Sequence, residues 1–142
     1  MSAPVKVIVE ADGGSRGNPG PAGYGAVVVD AVTGEVLDER AEGLGVTTNN
    51  VAEYSGLIAG LRAARELGAT DVAVRMDSKL VVEQMSGRWQ VKHPAMRPLA
   101  AEAGRLVREF DAVAFEWVPR RSNARADALA NRAMDGQAAG GT

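Results

Sequence analysis

Three strand-like segments precede the first helical pattern in this chain, and this order strongly restricts the folds open to it. The first segment, 5–11, is apolar and β-branched and stops at a pair of glycines. The next two, 23–30 and 35–43, lie on either side of a turn at 32–34. We therefore expect a sheet whose first three strands are antiparallel.

Helices and strands alternate over the rest of the chain. The predicted elements are a helix capped within 47–50 and ending at Gly68, a strand at Asp71–Met76, a short helix from Ser78 to Met85, a helix over 95–110, a strand at 113–118 and a helix over 124–134. The order βββαβααβα predicts one α/β domain, residues 1–135, with a mixed five-stranded sheet flanked by helices. Residues 136–142 are expected to form a flexible tail or a truncated linker.

Composition restricts the chemistry that the chain can perform. The sequence has no cysteine and one histidine, His93, which excludes cysteine nucleophiles and thiolate metal sites and disfavours a zinc site or a serine triad. No apolar run approaches the roughly eighteen residues of a membrane span, and no signal-peptide pattern opens the chain. We expect a cytoplasmic protein without a membrane partner whose chemistry depends on carboxylates.

The formal net charge is −2, but the basic residues are clustered. Because phosphate binding is mostly electrostatic, the negative sum alone argues against a nucleic-acid partner. Two clusters could nevertheless place basic surface beside an acidic centre; they are Lys79, Arg88, Lys92, His93 and Arg97, and Arg120, Arg121 and Arg125. Solvated helix faces are the alternative for any one of these residues.

Four carboxylates lie at element boundaries or on helices, and each has an ordinary structural explanation. Asp12 could form a turn before Gly13, Glu53 could complement the helix dipole in the first turn, Asp77 could cap a helix, and Asp127 could form a surface ion pair. As a convergent set, they would repel one another unless cations were bound. Such oxygen ligands predict hard divalent cations, and a pair of Mg²⁺ ions suits phosphodiester hydrolysis.

The carboxylates lie within four motifs, D-G-G-S-x-G-N-P-G, T-N-N-x-A-E-Y, M-D-S and A-D-x-L-A. With these motifs, the chain resembles type 1 ribonuclease H over about residues 5–134. The resemblance implies the ribonuclease H-like fold and a two-metal cleavage of the RNA strand of RNA·DNA hybrids, with Mg²⁺ or possible Mn²⁺. It implies that Asp12 bridges both metals, that Glu53 and Asp77 bind the leaving-group metal, and that Asp127 binds the water-activating metal.

The resemblance also implies residues that bind the substrate. Asn18, Asn49 and Asn50 are similar to the family's minor-groove contacts, where 2′-hydroxyls distinguish RNA, and Thr48 to its DNA phosphate-pocket residue. Loop and cap chemistry is the alternative for these positions.

Two departures from the family pattern concern substrate handling. The long basic handle is missing, and Trp89 and Lys92 are interpreted as its remnant, although a lone Trp is more often part of a core. The histidine that many members carry before the last Asp is also missing. Arg121 is the expected substitute, able to bind phosphate but not to shuttle a proton at neutral pH, whereas His93 lies in another loop.

Two other functions are compatible with this sequence. One is a hybrid-binding module with weak catalysis, and the other is a different nuclease of the same fold. We expect a monomer, and the small-residue tail raises the hypothesis of fusion to a second, phosphatase-like catalytic domain.

Overall fold

The computed structural model describes residues 3–140, with side chains as far as 136. Five strands and four α-helices follow the predicted order, with a short 3₁₀ helix before the last helix. The elements are β1 (Lys6–Ser15), β2 (Gly20–Asp30), β3 (Val36–Thr47), α1 (Asn49–Glu66), β4 (Asp71–Met76), α2 (Lys79–Met85), α3 (Arg97–Val107), β5 (Ala112–Trp117), the 3₁₀ helix Arg120–Asn123 and α4 (Ala124–Gly140). The predicted fold class is confirmed.

The strands form one mixed sheet in the order β3-β2-β1-β4-β5. β1 pairs antiparallel with β2, and β2 pairs antiparallel with β3, as the sequence predicts. β1 also pairs parallel with β4, which pairs parallel with β5. The central position of β1 is what allows residues near its end to meet residues from both halves of the chain.

β1 does not stop at the glycine pair but continues to Ser15, because β2 pairs with it along this whole length. Gly13 is needed for a close contact with α1 rather than for a turn. A Cβ atom at Gly13 would lie 2.2 Å from the backbone carbonyl carbon of Ala52 and 2.5 Å from the backbone nitrogen of Glu53. The missing side chain therefore lets the start of α1 rest directly on β1.

Alternate residues of β1 face two different layers. One face packs against α1 and α3 in the main core, which includes Val7, Val9 and Leu57. On the opposite face, Leu129 of α4 packs with Val27 and Val29 of β2. The sheet is thus covered by helices on both faces, as expected for an α/β domain.

Each predicted helix is present, but three details differ. α3 spans Arg97–Val107, so it begins two residues later and ends three residues earlier than the predicted 95–110. Thr48 is the N-cap of α1 and accepts a hydrogen bond from the backbone N–H of Val51, so Glu53 lies one turn into the helix. Placing Glu53 in the first turn was wrong, and the dipole explanation for it loses its basis because that effect is confined to the first turn.

α4 extends to Gly140, beyond the predicted end at Met134. A flexible tail over 136–142 remains a prediction, and its last two residues lie outside the described residues. None of the helices within residues 3–140 combines the length and apolar character that crossing a membrane requires.

Candidate active site

The register of the sheet brings Asp12 and Asp77 to the same level. β1 and β4 are parallel partners up to the pair Glu10 and Arg75, and Asp12 and Asp77 each lie two residues further on. β4 ends at Met76, whereas β1 continues beside β2. Asp12 is therefore not at the end of its strand, but at the end of the β1–β4 ladder, where the two strands separate.

Glu53 joins these two carboxylates because α1 lies directly over Gly13. One carboxylate oxygen from each of Asp12, Glu53 and Asp77 lies within 4.8 Å of the other two. All three line a cleft of about 380 Å³. This spacing allows three side chains to share a cation as oxygen ligands.

Asp127 lies on the wall of the same cleft but outside this group of three. It is close enough to Asp12 to help raise the pKa of that carboxyl group. Arg120 Nη2 donates to Asp127 Oδ1 at 3.3 Å, and Asn131 Nδ2 donates to Asp127 Oδ2 at 3.3 Å. The fourth carboxylate is thus close to the trio while held by two neighbouring donors.

The electrostatics of the cleft favour a bound cation. Burial, followed by the charge of Asp77 and the proximity of Asp127, raises the pKa of Asp12 to about 8. Burial, followed by the charges of Asp12 and Asp77, raises the pKa of Glu53 to about 9. Both shifts arise because carboxylates lose hydration and repel one another without a counter-charge.

Glu53 also provides a direct test of whether a cation fits. Its Oε2 atom is buried and has no hydrogen-bond partner, although the residue as a whole is partly exposed. A buried acceptor without a partner is costly, and a divalent cation would satisfy it. The donor set consists of carboxylates alone, the type that Mg²⁺ and Mn²⁺ prefer.

Asn123 was not identified as a site residue from the sequence. It is completely buried, and its Nδ2 donates to the backbone carbonyl of Ala11 at 2.9 Å and to Asp77 Oδ1 at 3.3 Å. It therefore ties Asp77 to β1. The available signal was a short polar residue just before the last helix, which by spacing alone is equally typical of a cap.

Four of the seven residues expected to bind substrate lie along two clefts that share Asn50, whereas Trp89, Lys92 and Arg121 line neither cleft. Asn49 and Asn50 line the acidic cleft, and Asn18, Thr48 and Asn50 line a neighbouring cleft of about 260 Å³. His93 lines this second cleft as well, which the sequence did not indicate.

Some of these side chains also have structural roles. Asn49 Oδ1 accepts from the backbone N–H of Ser15 at 2.7 Å, and Asn18 Oδ1 accepts from the backbone N–H of Asn49 at 3.0 Å. The loop and cap chemistry is therefore present at these positions, and substrate contact by the same residues stays a prediction. Trp89 is 46% exposed, so it is not a core residue, and Lys92 is exposed as well.

Comparison with known proteins agrees with this geometry. Residues 10–133 match the family model described as reverse transcriptase-like. The bifunctional protein Rv2228c of Mycobacterium tuberculosis is 62% identical over 134 residues, which are 94% of this chain and 37% of that protein.

Solved structures are similar over nearly the whole chain. The N-terminal RNase H domain of Rv2228c superposes with a TM-score of 0.95 at 61% identity, covering 97% of this chain and 99% of that one. RNase H1 of Halobacterium salinarum gives a TM-score of 0.88 at 44% identity, covering 92% and 98%. LC11-RNase H1, solved in complex with an RNA/DNA hybrid, gives 0.86 at 43% identity, covering 92% and 97%.

The chain belongs to the type 1 ribonuclease H family. It spans 37% of the length of Rv2228c.

Within this ribonuclease H fold, the loop before the last carboxylate presents Arg120 rather than Arg121 to the cleft. Arg120 lines the cleft and contacts Asp127, whereas Arg121 is exposed and is not among the residues that line it. The choice between adjacent arginines depends on the 3₁₀ helix Arg120–Asn123, whose turn points the two side chains in different directions.

Proposed function

We propose that this chain is a metal-dependent endonuclease that hydrolyses the RNA strand of RNA·DNA hybrids. The observation that carries the proposal is the convergence of Asp12, Glu53 and Asp77 within 4.8 Å, together with the buried, unpartnered Oε2 of Glu53. Ribonuclease HI of Halobacterium salinarum and the hybrid-bound LC11-RNase H1 support the choice of substrate.

The four carboxylates Asp12, Glu53, Asp77 and Asp127 would hold two Mg²⁺ ions, or Mn²⁺ ions, in this proposal. A bound pair of such ions activates water and stabilises the leaving oxygen of a phosphodiester displacement. Asp12 would be the ligand shared by the two ions, since it lies with Glu53 and Asp77 in one cluster and is also close enough to Asp127 for that residue to raise its pKa. Asn123 holds the orientation of Asp77 through its Nδ2 atom.

The substrate would lie across the two clefts that meet at Asn50. The RNA strand would pass over the acidic cleft beside Asn49 and Asn50, with Asn18 as a further minor-groove contact. The DNA strand would pass over the second cleft, where the Thr48 hydroxyl can donate to a phosphate oxygen. Trp89 and Lys92 are proposed to extend this DNA contact, and Arg120 or Arg121 to bind phosphate near Asp127.

The decisive experiment offers three labelled duplexes, RNA·DNA, RNA·RNA and DNA·DNA, each with Mg²⁺, with Mn²⁺ and with excess EDTA. We expect cleavage of the RNA strand of the hybrid alone, and only with metal. Hybrid binding without cleavage would favour a binding module, and cleavage of DNA·DNA would favour another nuclease of this fold. Activity that survives EDTA would contradict the metal-dependent reaction.

A pair of matched variants separates chemistry from binding. Asp77→Asn removes one ligand charge from the cleft, and we expect at least a 100-fold loss of kcat with hybrid binding retained, on the scale of lost electrostatic catalysis. Asp111→Asn is the control, since this exposed acid immediately precedes β5, at the opposite end of the β4–β5 ladder from Asp77. Equal activities of the two variants would contradict the assignment.

We further propose that the chain acts as a monomeric, cytoplasmic catalytic domain, fused in the full-length protein to a second catalytic domain. The name of Rv2228c as a bifunctional protein supports the fusion. The complete open reading frame tests the fusion, and the mass of the full-length protein in solution tests the monomeric state.

A further inference from the structure

Glu10 of β1 and Arg125 of α4 form a two-pronged ion pair. Arg125 Nε donates to Glu10 Oε1 at 3.0 Å, and Arg125 Nη2 donates to Glu10 Oε2 at 2.9 Å. The side chain of Glu10 is 9% exposed and that of Arg125 is 49% exposed. Bidentate pairs of this kind are directional as well as strong, so the pair constrains orientation and not only distance.

Both partners lie close in sequence to proposed metal ligands. Glu10 lies two residues before Asp12, on the same face of β1, since successive strand residues alternate. Arg125 lies two residues before Asp127, and between them is the fully buried Ala126. The ion pair therefore joins β1 to the first turn of α4, the two elements that carry Asp12 and Asp127.

Further along α4, Arg16, which directly follows β1, contacts the Asp135 carboxylate and the Asn131 backbone carbonyl. α4 approaches β2 at Gly25, where an added Cβ would lie 2.4 Å from the backbone oxygen of Ala126 and 2.5 Å from Cβ of Leu129. This close packing sets how near the start of the helix approaches the sheet, but it is not directional in the way a hydrogen bond is. The Glu10–Arg125 pair adds a directional restraint at the first turn of α4, two residues before Asp127.

We propose that Glu10 and Arg125 are positioning residues that align Asp127 with Asp12 and so complete the metal site. This inference rests on the proposed two-metal function. Neither side chain is proposed to touch the substrate or the ions.

The test compares Arg125→Lys and Glu10→Gln with the wild-type chain. Each variant keeps a polar side chain of similar length but loses the two-pronged geometry or the charge. We expect kcat on an RNA·DNA hybrid to fall roughly 10- to 100-fold, the scale of a misplacement of about 1 Å, with KM for the hybrid little changed. We also expect the Mg²⁺ concentration that produces half of the maximal thermal shift to rise several-fold.

A second ion pair provides the matched control. Arg65 Nη1 lies 2.9 Å from Glu109 Oε2, away from the cleft, and the Arg65 side chain is 44% exposed. Arg65→Lys should leave kcat and the Mg²⁺ response unchanged. The double variant Glu10→Gln/Arg125→Lys should lose no more activity than the worse single variant, because both changes break one interaction.

Specific outcomes would overturn the inference. It fails if both single variants keep kcat and the Mg²⁺ midpoint within twofold of the wild type. Should one variant not fold, as judged by circular dichroism, the other decides. If the wild type binds Mg²⁺ but cleaves no hybrid, the proposed function fails, while the Mg²⁺ midpoint still decides whether the pair positions the site. A wild type without any Mg²⁺-dependent shift would overturn both.

Discussion

Gly13 is the position where one added methyl group should most disturb the acidic cleft. A Cβ atom there would lie 2.2 Å from the carbonyl carbon and 2.3 Å from the carbonyl oxygen of Ala52, both backbone atoms of α1. Side-chain rotation cannot relieve a clash with backbone. Gly13→Ala therefore has to displace the start of α1, which carries Glu53, away from β1.

The size of the displacement follows from the contact distance. Ordinary van der Waals contact begins at 3.4 Å, so the Ala52 carbonyl carbon must retreat by 3.4 − 2.2 = 1.2 Å. Overpacking of this kind costs about 3 kcal/mol at the upper end of its usual range. For a domain of this size, that corresponds to a fall in Tm of roughly 10 °C. Moving Glu53 by about 1 Å relative to Asp12 should reduce kcat roughly 100-fold.

Gly14→Ala is the matched control. Its added Cβ would meet only the flexible Met134 side chain, with Cε at 3.1 Å and Sδ at 3.5 Å. Differential scanning fluorimetry and single-turnover cleavage of a labelled hybrid should therefore show a large loss for Gly13→Ala and a small one for Gly14→Ala. Equal Tm and kcat values for the two variants would refute the reasoning that Gly13 seats α1 and Glu53.

Two further predictions concern the charges of the cleft. Because the pKa values of Asp12 and Glu53 are raised to about 8 and about 9 from ordinary values of 3.8 and 4.5, the metal-free fold keeps their protons longer than the unfolded chain does. Their contribution to stability is therefore full below pH about 4 and is lost as the pH rises towards 9. Mg²⁺ must displace these protons to bind, so the Mg²⁺-induced rise in Tm should grow between pH 6 and pH 9. A Tm rise that does not depend on pH would contradict the raised pKa values. In the loop before Asp127, Arg120→Ala should reduce kcat about tenfold or more, because Arg120 contacts Asp127. Arg121→Ala should have a smaller effect. Steady-state kinetics with the reverse order would favour the prediction from the sequence that Arg121 is the important arginine.

Local patterns predicted elements that carry their own start and stop signals. β4 and α2 have the predicted boundaries, since Ser78 accepts a hydrogen bond from the backbone N–H of Val81 and Gly87 adopts a positive φ just after the helix. The predicted end of β1 was wrong, because a glycine pair indicates a turn only when no partner strand continues the ladder. Here β2 continues it, pairing Gly13 with Tyr24 and Gly14 with Gly23.

For the candidate site too, the sequence predicted some residues and missed others. The motifs identified the four carboxylates as a set, and the structure brings Asp12, Glu53 and Asp77 together. The motifs could not identify Asn123 or the Glu10–Arg125 pair, because the interacting residues are far apart in the sequence. The choice of Arg120 over Arg121 likewise depended on the direction of one 3₁₀ turn.

The sequence by itself determined the class of fold, the family and the acidic residues available for chemistry, because strand periodicity, helix caps and motif spacing are local properties. Only the tertiary structure decided how these residues meet. The β1–β4 register places Asp12 level with Asp77, and the missing Cβ at Gly13 admits Glu53. The position of Asp127 depends on how α4 is seated on β1 and β2, and such contacts arise from cross-strand pairing and close packing between residues far apart in the chain.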